Sequence, residues 1–268
     1  MFANTQMLAL LLTSMLLVAC SSDNNDTEAT GASNSETSKP ASAPSLRERL
    51  ADSARPQADR DRDAGRKPAE VIEFLGIEPG MAVIDLIAAG GYYTEVLAIS
   101  VGPEGRVVAQ NPDAVLKMRD GVNETALTER LAGNRLPNVS RLNKELKDLS
   151  IADGQFDAAI TALNFHDIYN SAGPEAAVSV LTTVRSMLKP GGVFGIIDHA
   201  GIGSEDNAAL HRIEKARVIE TAEAAGFVVE GDSKLLANPN DDHRQGVFSE
   251  GLRGNTDRFV LKLRNPLP

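Results

Sequence analysis

Two sets of residues in this chain have the types and spacing to do chemistry. The first is the stretch from Met81 to Ala98, MAVIDLIAAGGYYTEVLA. Its apolar run, Met81 to Ile87, carries one acid, Asp85, then ends in the turn Ala88-Ala89-Gly90-Gly91 and passes into a helix-competent segment. Such a run reads as a buried parallel strand. Small turn residues let the backbone pass close to a ligand, and the first amides of the following helix point at it. An acid at the strand tip is placed to hold a ligand hydroxyl or ammonium. Together these make a nucleotide-type site at the position where doubly wound sheets bind ligands. Taken alone, the same residues also suit a tight turn with no ligand.

The second set is histidine. Three of the four histidines, His166, His199 and His211, stand at or just past the carboxyl ends of expected strands. Asp167 follows His166 and Asp198 precedes His199, so a carboxylate can fix either imidazole's tautomer, although neighbours on a strand point apart. Histidine changes charge near neutral pH, which suits removal of a nucleophile's proton. No pair among these residues and the nearby acids has the short spacing of a zinc site, and no metal is expected. His243 lies in the turn-rich loop Asn238 to His243, which reads as a lid or as plain surface. Tyr92 and Tyr93 face either a pocket or the sheet. Arg66, at a helix end, reaches a ligand carboxylate or solvent.

The elements that must position these groups alternate. A charged segment, Leu46 to Arg66, reads as a solvent-facing helix, and Arg66-Lys67-Pro68 opens a second helix through Leu75, with proline in the first turn. Strands are expected at Met81–Ile87, Arg106–Gln110, Val139–Leu142, Phe156–Leu163 and Val193–Ile197. Two more are expected at Gly226–Leu236 and Thr256–Leu263. Helices are expected at Tyr92–Val101, Asp113–Ala132, Pro174–Leu188 and Ser204–Ala225. The alternation predicts an α/β, doubly wound, mostly parallel sheet with helices on both faces.

The chain of 268 residues carries a formal charge of −10, which argues against a nucleic-acid partner. Met7 to Val18 is too short to span a bilayer and suits a signal-peptide core. It leads into Leu17-Val18-Ala19-Cys20, which resembles a bacterial lipobox, and Cys20 is the single cysteine of the chain. That resemblance implies a signal peptide over residues 1–20 and a lipidated Cys20 as the membrane anchor. Ser21 at the next position favours an outer membrane, facing the periplasm, in a Gram-negative cell. An ordinary secretory signal is the alternative, and the absence of Lys or Arg before the apolar run departs from the signal pattern. Residues 21–45 are Ser, Thr, Asn, Ala and Pro with scattered acids and little apolar surface, which reads as a flexible tether. The folded domain is expected over residues 46–268.

Over nearly all of that domain the chain resembles class I S-adenosylmethionine-dependent methyltransferases. The resemblance is carried by Pro79-Gly80-Met81-Ala82-Val83-Ile84-Asp85, the Gly90-Gly91 turn, Asp153-Gly154-Gln155-Phe156-Asp157 and Leu188-Lys189-Pro190-Gly191-Gly192. A narrower group of bacterial methyltransferases, often exported, is similar in further segments. These are Gly90 to Glu95, Leu163 to Asp167, Asp198-His199, His211-Arg212-Ile213, Asn238-Pro239 and Thr256 to Lys262. The resemblance implies a Rossmann-like methyltransferase sheet with an antiparallel C-terminal strand, S-adenosylmethionine as cofactor and a small-molecule acceptor. Asp85, Ile87, Ala89, Gly90, Gly91 and Tyr92 would then surround the methionine part, Gln110 and Asn111 the ribose, and Glu145 the adenine. Asn164, following the fourth strand, would face the transferred methyl group, with His166, Asp167 and His199 as the catalytic set.

Three features depart from the family pattern. Ile87 and Ala89 occupy positions usually held by glycine, and Gln110-Asn111 stand where an acid usually holds the ribose. An exported protein also works outside the compartment in which S-adenosylmethionine is made. Two functions of different class therefore follow: a methyltransferase, or a non-catalytic cell-envelope binding or scaffold protein on the same fold.

Overall fold

A computed structural model describes residues 43–268. The expected signal peptide, the lipidation at Cys20 and the tether through residue 42 lie outside the described residues. Among the described residues no helix is long and apolar enough to cross a membrane.

The strands are β1 (Ala82–Leu86), β2 (Arg106–Asn111), β3 (Val139–Asn143), β4 (Phe156–Ala162), β5 (Leu188–His199), β6 (Val228–Ser233) and β7 (Arg258–Arg264). They form one sheet in the order β3-β2-β1-β4-β5-β7-β6. The β1–β2, β2–β3, β1–β4 and β4–β5 pairs are parallel, whereas β7 runs antiparallel to both β5 and β6. The expected α/β architecture and antiparallel final strand are both present.

Both sheet faces are covered, and the strand sequences show why. Along β1, Ala82, Ile84 and Leu86 pack into one core while Val83 packs into the other. The first core is closed by α7 (Pro174–Met187) and α8 (Lys215–Ala224), through residues such as Leu181, Val184, Val218 and Ala222. The second is closed by α3 (Pro68–Leu75) and α4 (Tyr92–Val101), through Val71, Leu75, Val96 and Leu97. A strand buried on both faces must be mostly apolar in both registers, the pattern of β1 and β4, whereas the edge strands β3 and β6 are more exposed and more polar.

Four elements differ from the sequence expectation. Leu46 to Arg66 forms two helices, α1 (Leu46–Leu50) and α2 (Gln57–Arg66), not one solvent-facing helix. Leu50, Arg55 and Asp59 are buried, so the segment is a wall of the molecule despite its charge. α5 (Asp113–Leu131) is broken in the middle, where Arg119, Asp120 and Gly121 have φ of 50°, 56° and 78°. A short helix, α6 (Phe165–Ala172), follows β4 where no element is expected. Residues 204–214 are irregular instead of helical because Arg212 is pulled into the interior. Its guanidinium is fully buried, pairs with Asp241 at 3.0 Å and donates to the Ala200 carbonyl at 2.8 Å.

The sheet leaves little room under α3. A Cβ on Gly195, in the middle of β5, would lie 2.5 Å from Leu75 Cδ1. Gly195→Ala is expected to cost about 1–3 kcal/mol of stability by overpacking, read from denaturant unfolding. An unchanged midpoint would contradict this close helix–sheet contact.

Candidate active site

The chain passes outward from β1 to β2 and β3, then returns to β4 on the other side of β1. This reversal opens a crevice at the carboxyl ends of β1 and β4, the usual ligand position in doubly wound sheets. The turn after β1 lines it. Its backbone alternates into the left-handed region at Ile87 (φ 54°), Ala89 (φ 50°) and Gly91 (φ 83°). Glycine alone takes that conformation freely, and a β-branched residue there is an outlier.

The strain is held by side-chain amides. Gln110 Oε1 accepts from the Ile87 amide at 3.0 Å, and Asn111 Oδ1 accepts from the Ala89 amide at 2.8 Å. Asn111 Nδ2 donates back to the Ala89 carbonyl at 3.2 Å, Gln110 Nε2 donates to the Lys144 carbonyl at 2.7 Å, and Asn164 Nδ2 donates to the Ile87 carbonyl at 3.2 Å. Gln110 and Asn111 are fully buried. Expected at the ribose, they hold the turn and the Lys144 carbonyl and do not line the crevice. Glu145, expected near the adenine, accepts from the Asp113 amide at 3.1 Å at the start of α5.

Asp85 does face the crevice and is 2% exposed. Thr94 Oγ1 donates to Asp85 Oδ2 at 2.6 Å, but among the described residues no cation pairs with this carboxylate. Burial therefore dominates and pushes its pKa up to about 7. Across the crevice, the Arg66 guanidinium lies 4.5 Å from the centre of the Tyr92 ring, and among the described residues it has no carboxylate partner. Burial holds its pKa below the usual arginine value. Arg130 pairs with Asp59 at 2.7 Å, makes a close ion pair with Glu95 and donates from Nε to the Gly90 carbonyl at 2.9 Å. One buried guanidinium thus ties α2, α4 and α5 to the turn.

The histidines meet at the ends of β4 and β5. Asp198, fully buried, accepts from the His166 amide at 2.7 Å through Oδ2, and from the His199 amide at 2.8 Å through Oδ1. His166 Nδ1 also lies 2.7 Å from Asp198 Oδ1. A carboxylate can only accept, so this nitrogen carries the proton and Nε2 is left for the crevice. Burial opposes charge on His166, but the Asp198 carboxylate outweighs it and the pKa ends above the ordinary histidine value. His199, by contrast, is pushed down to about 3 by burial, with Nδ1 2.7 Å from Thr256 Oγ1. The pairing runs between elements: Asp198 orients His166, while Asp167 Oδ1 lies 3.3 Å from His166 Nε2 and 3.2 Å from His211 Nδ1. His243 points elsewhere, its Nε2 2.9 Å from Asp257 Oδ2.

These groups line one cavity of about 1160 Å³. Asp85, Ile87, Ala89, Gly90, Tyr92, Asn164, His166, Asp167 and His199 come together there, whereas Gly91, Gln110, Asn111 and Glu145 do not line it. Binding sites for single small molecules measure about 300–1,000 Å³, so two small molecules fit side by side. The sequence reading singled out Arg66 but missed the rest of the wall, built by residues 53–62 and Arg130. Arginines outnumber acids in the lining by seven to four, in a chain whose net charge is −10. Of the loop between β6 and β7, Val247 and Phe248 reach the cavity.

Comparison with known proteins agrees with this architecture. No protein-family model matches the chain. A ubiquinone/menaquinone biosynthesis C-methyltransferase of Shewanella oneidensis is 31% identical over 192 residues, covering 71% of this chain and 66% of that protein. The enzyme of the same name from Ectopseudomonas mendocina is 28% identical over 192 residues, covering 71% and 65%. The chain thus spans just under two thirds of the length of these curated relatives. Among solved structures, an S-adenosylmethionine-dependent methyltransferase from Aquifex aeolicus superposes with a TM-score of 0.53 at 19% identity, covering 76% of this chain and 98% of that one. A possible exported protein from Bordetella parapertussis superposes with a TM-score of 0.51 at 14% identity, covering 77% and 68%. The chain has the fold of S-adenosylmethionine-dependent methyltransferases.

The amide clamp on the turn makes two separable predictions. Gln110→Ala leaves the Ile87 amide and the Lys144 carbonyl without partners and is expected to cost about 1–3 kcal/mol in denaturant unfolding. Ala89→Gly removes a left-handed penalty of about 1–2 kcal/mol against a glycine entropy cost of roughly 0.5–1 kcal/mol, so stability should hold or rise slightly. A clear loss in Ala89→Gly would contradict strain at that position.

Proposed function

We propose that the protein transfers a methyl group from S-adenosylmethionine to a small-molecule acceptor, and that it works as a lipoprotein held in the cell envelope through Cys20. The observation that carries the reaction is the charge arrangement at the turn. A buried carboxylate without a cation, Asp85, and a half-buried guanidinium without an anion, Arg66, face one crevice. An amino acid supplies the missing partner to each, and the methionine end of the cofactor is an amino acid. The methyltransferase names of the relatives and the shared fold support the same class.

The residues present fit the cofactor at that end. At the ribose end, the acid usual in the family is replaced by two amides that face inward, so ribose binding falls to other groups of the cavity wall. When bound, the cofactor supplies a methyl group on an already activated carbon. What the chain contributes is position: the acceptor stands in line with that carbon, between the turn and the wall bearing Asn164, His166 and His199. An acceptor that must lose a proton gives it up toward His166, Asp167 and His211. Asp198 holds the His166 ring so that Nε2 faces this position.

The second reading, a binding protein that keeps the fold without turnover, draws on the inward Gln110 and Asn111. Both readings need a ligand at the turn, and only the first needs the methyl group to leave.

Calorimetric titration with S-adenosylmethionine and S-adenosylhomocysteine tests the cofactor. Micromolar affinity is expected, falling at least tenfold in Asp85→Ala; no binding by the folded protein would end the enzyme reading. The pH dependence has a definite sign. The unfolded carboxyl titrates near 3.9, while folded Asp85 titrates at about 7, so the free fold holds a proton that the ligand's ammonium must displace. Affinity should be roughly tenfold weaker at pH 6 than at pH 8, and Asp85→Asn should abolish the dependence. By the same linkage, Asp85 subtracts stability as pH rises from about 4 to about 7, so Asp85→Asn should stabilise the free protein at pH 8. Methyl transfer to a trial acceptor separates the enzyme from the binding protein. Cell fractionation tests the anchor: Cys20→Ala should move the protein from the membrane to the soluble fraction.

A further inference from the structure

The wall opposite the turn carries a cluster that methyl transfer by itself does not call for. His166 Nε2, Asp167 Oδ1 and His211 Nδ1 converge, all within 4.8 Å of one another. The two edges through Asp167 measure 3.3 Å to His166 and 3.2 Å to His211. Ligands bound at about 2.0–2.2 Å to one ion stand roughly 2.8–3.6 Å apart, from right-angled to tetrahedral coordination. Those two edges are of that length.

The electron pairs point the same way. Asp198 takes the proton on His166 Nδ1, so Nε2 presents a lone pair toward a carboxylate oxygen. His211 Nδ1 faces the same oxygen. With its proton on Nε2, His211 presents a second lone pair there, so two imidazole nitrogens and a carboxylate oxygen can converge on one cation. A histidine ligand whose other ring nitrogen donates to a carboxylate is the usual second layer of a metal site.

The geometry is also built before any ligand arrives. His211 sits in the left-handed region (φ 55°), and the next residue, Arg212, is locked by Asp241 and by the Ala200 and Gln245 carbonyls. Asn170 Nδ2 donates to the Arg212 carbonyl at 2.9 Å, which fastens the segment carrying His211 to α6, the helix carrying His166 and Asp167. The side chains of Asp167 and His211 are 62% and 43% exposed, so an ion has a route in from solvent.

We propose that His166, Asp167 and His211 bind one divalent transition-metal ion at the edge of the cavity. Two imidazoles and one carboxylate suit zinc, manganese, iron or cobalt better than the oxygen-seeking magnesium or calcium. Three protein ligands leave positions open toward the cavity, as in sites where a metal meets a bound molecule. With the ion present, His166 Nε2 would be occupied, and an acceptor held at an open position would give its proton to solvent at a pKa lowered by the ion, instead of to the imidazole. That last consequence rests on the methyltransferase reading; the metal site does not.

The test uses the full chain, stripped with a chelator and dialysed against zinc or cobalt, with no cofactor present. One ion per chain is expected, with visible absorption bands for cobalt. His211→Ala and Asp167→Asn should each weaken binding by about 100-fold or more, and Asp198→Asn by about 10–100-fold. His211 is half exposed, so His211→Ala should keep the wild-type melting curve and isolate the loss of a ligand. No retained ion in the wild type, or wild-type retention in His211→Ala, would overturn the proposal. Failure to bind S-adenosylmethionine would leave it standing.

Discussion

The structure depends on a turn that must be left-handed at Ile87 and Ala89, where the side chains disfavour that conformation. Two such residues cost about 1–2 kcal/mol each. Gln110, Asn111 and Asn164 supply four amide hydrogen bonds to those two residues, each worth about 0.5–1.5 kcal/mol net. The sums are of the same size, so the clamp offsets the strain. It also decides where the neighbours stand. Gln110 and Asn111 end β2, Asn164 opens α6, and their hold on the turn fixes the carboxyl ends of β1, β2 and β4 against one another. The site then lies on rigid elements instead of on a mobile loop.

Charge is organised around the same turn. Arg130 reaches the Gly90 carbonyl while paired with Asp59 and Glu95, so burying these ions also fastens α2 and α5 over the crevice. Asp85 and Arg66 lack such partners. A buried carboxylate such as Asp85 is costly without a partner, and a fold tolerates one chiefly where a ligand completes the pair. The far wall follows a similar logic, with Asp198 buried to aim His166 and Arg212 buried to hold His211.

The sheet was legible because its central strands are short apolar runs between turn residues, and the crevice was legible from the acid in β1 and the small residues after it. Asp85, His166 and His199 come to one crevice for the same reason: strand ends converge at a reversal of strand order. What the sequence hid was pairing across elements. Asp198 looks like the partner of His199, its neighbour, but a strand turns the two apart and sends the carboxylate to His166. Gln110 and Asn111 look like substitutes for a ribose-binding acid, yet nothing in a linear reading tells an amide facing a ligand from one facing a turn. The arginines of residues 55–62 read as solvated because charge normally is; only tertiary packing brings Arg55 and Arg62 against Tyr92. His211 lies 44 residues from Asp167 and meets it only because Arg212 is buried.

The most direct measurement is a crystal structure of the protein with S-adenosylhomocysteine. The account predicts the amino-acid end of the ligand between Asp85 and Arg66, with Ile87 and Ala89 still left-handed and Gln110 and Asn111 still facing inward. A ligand bound away from the turn, or one that draws Gln110 out to the ribose and lets the turn relax, would contradict it.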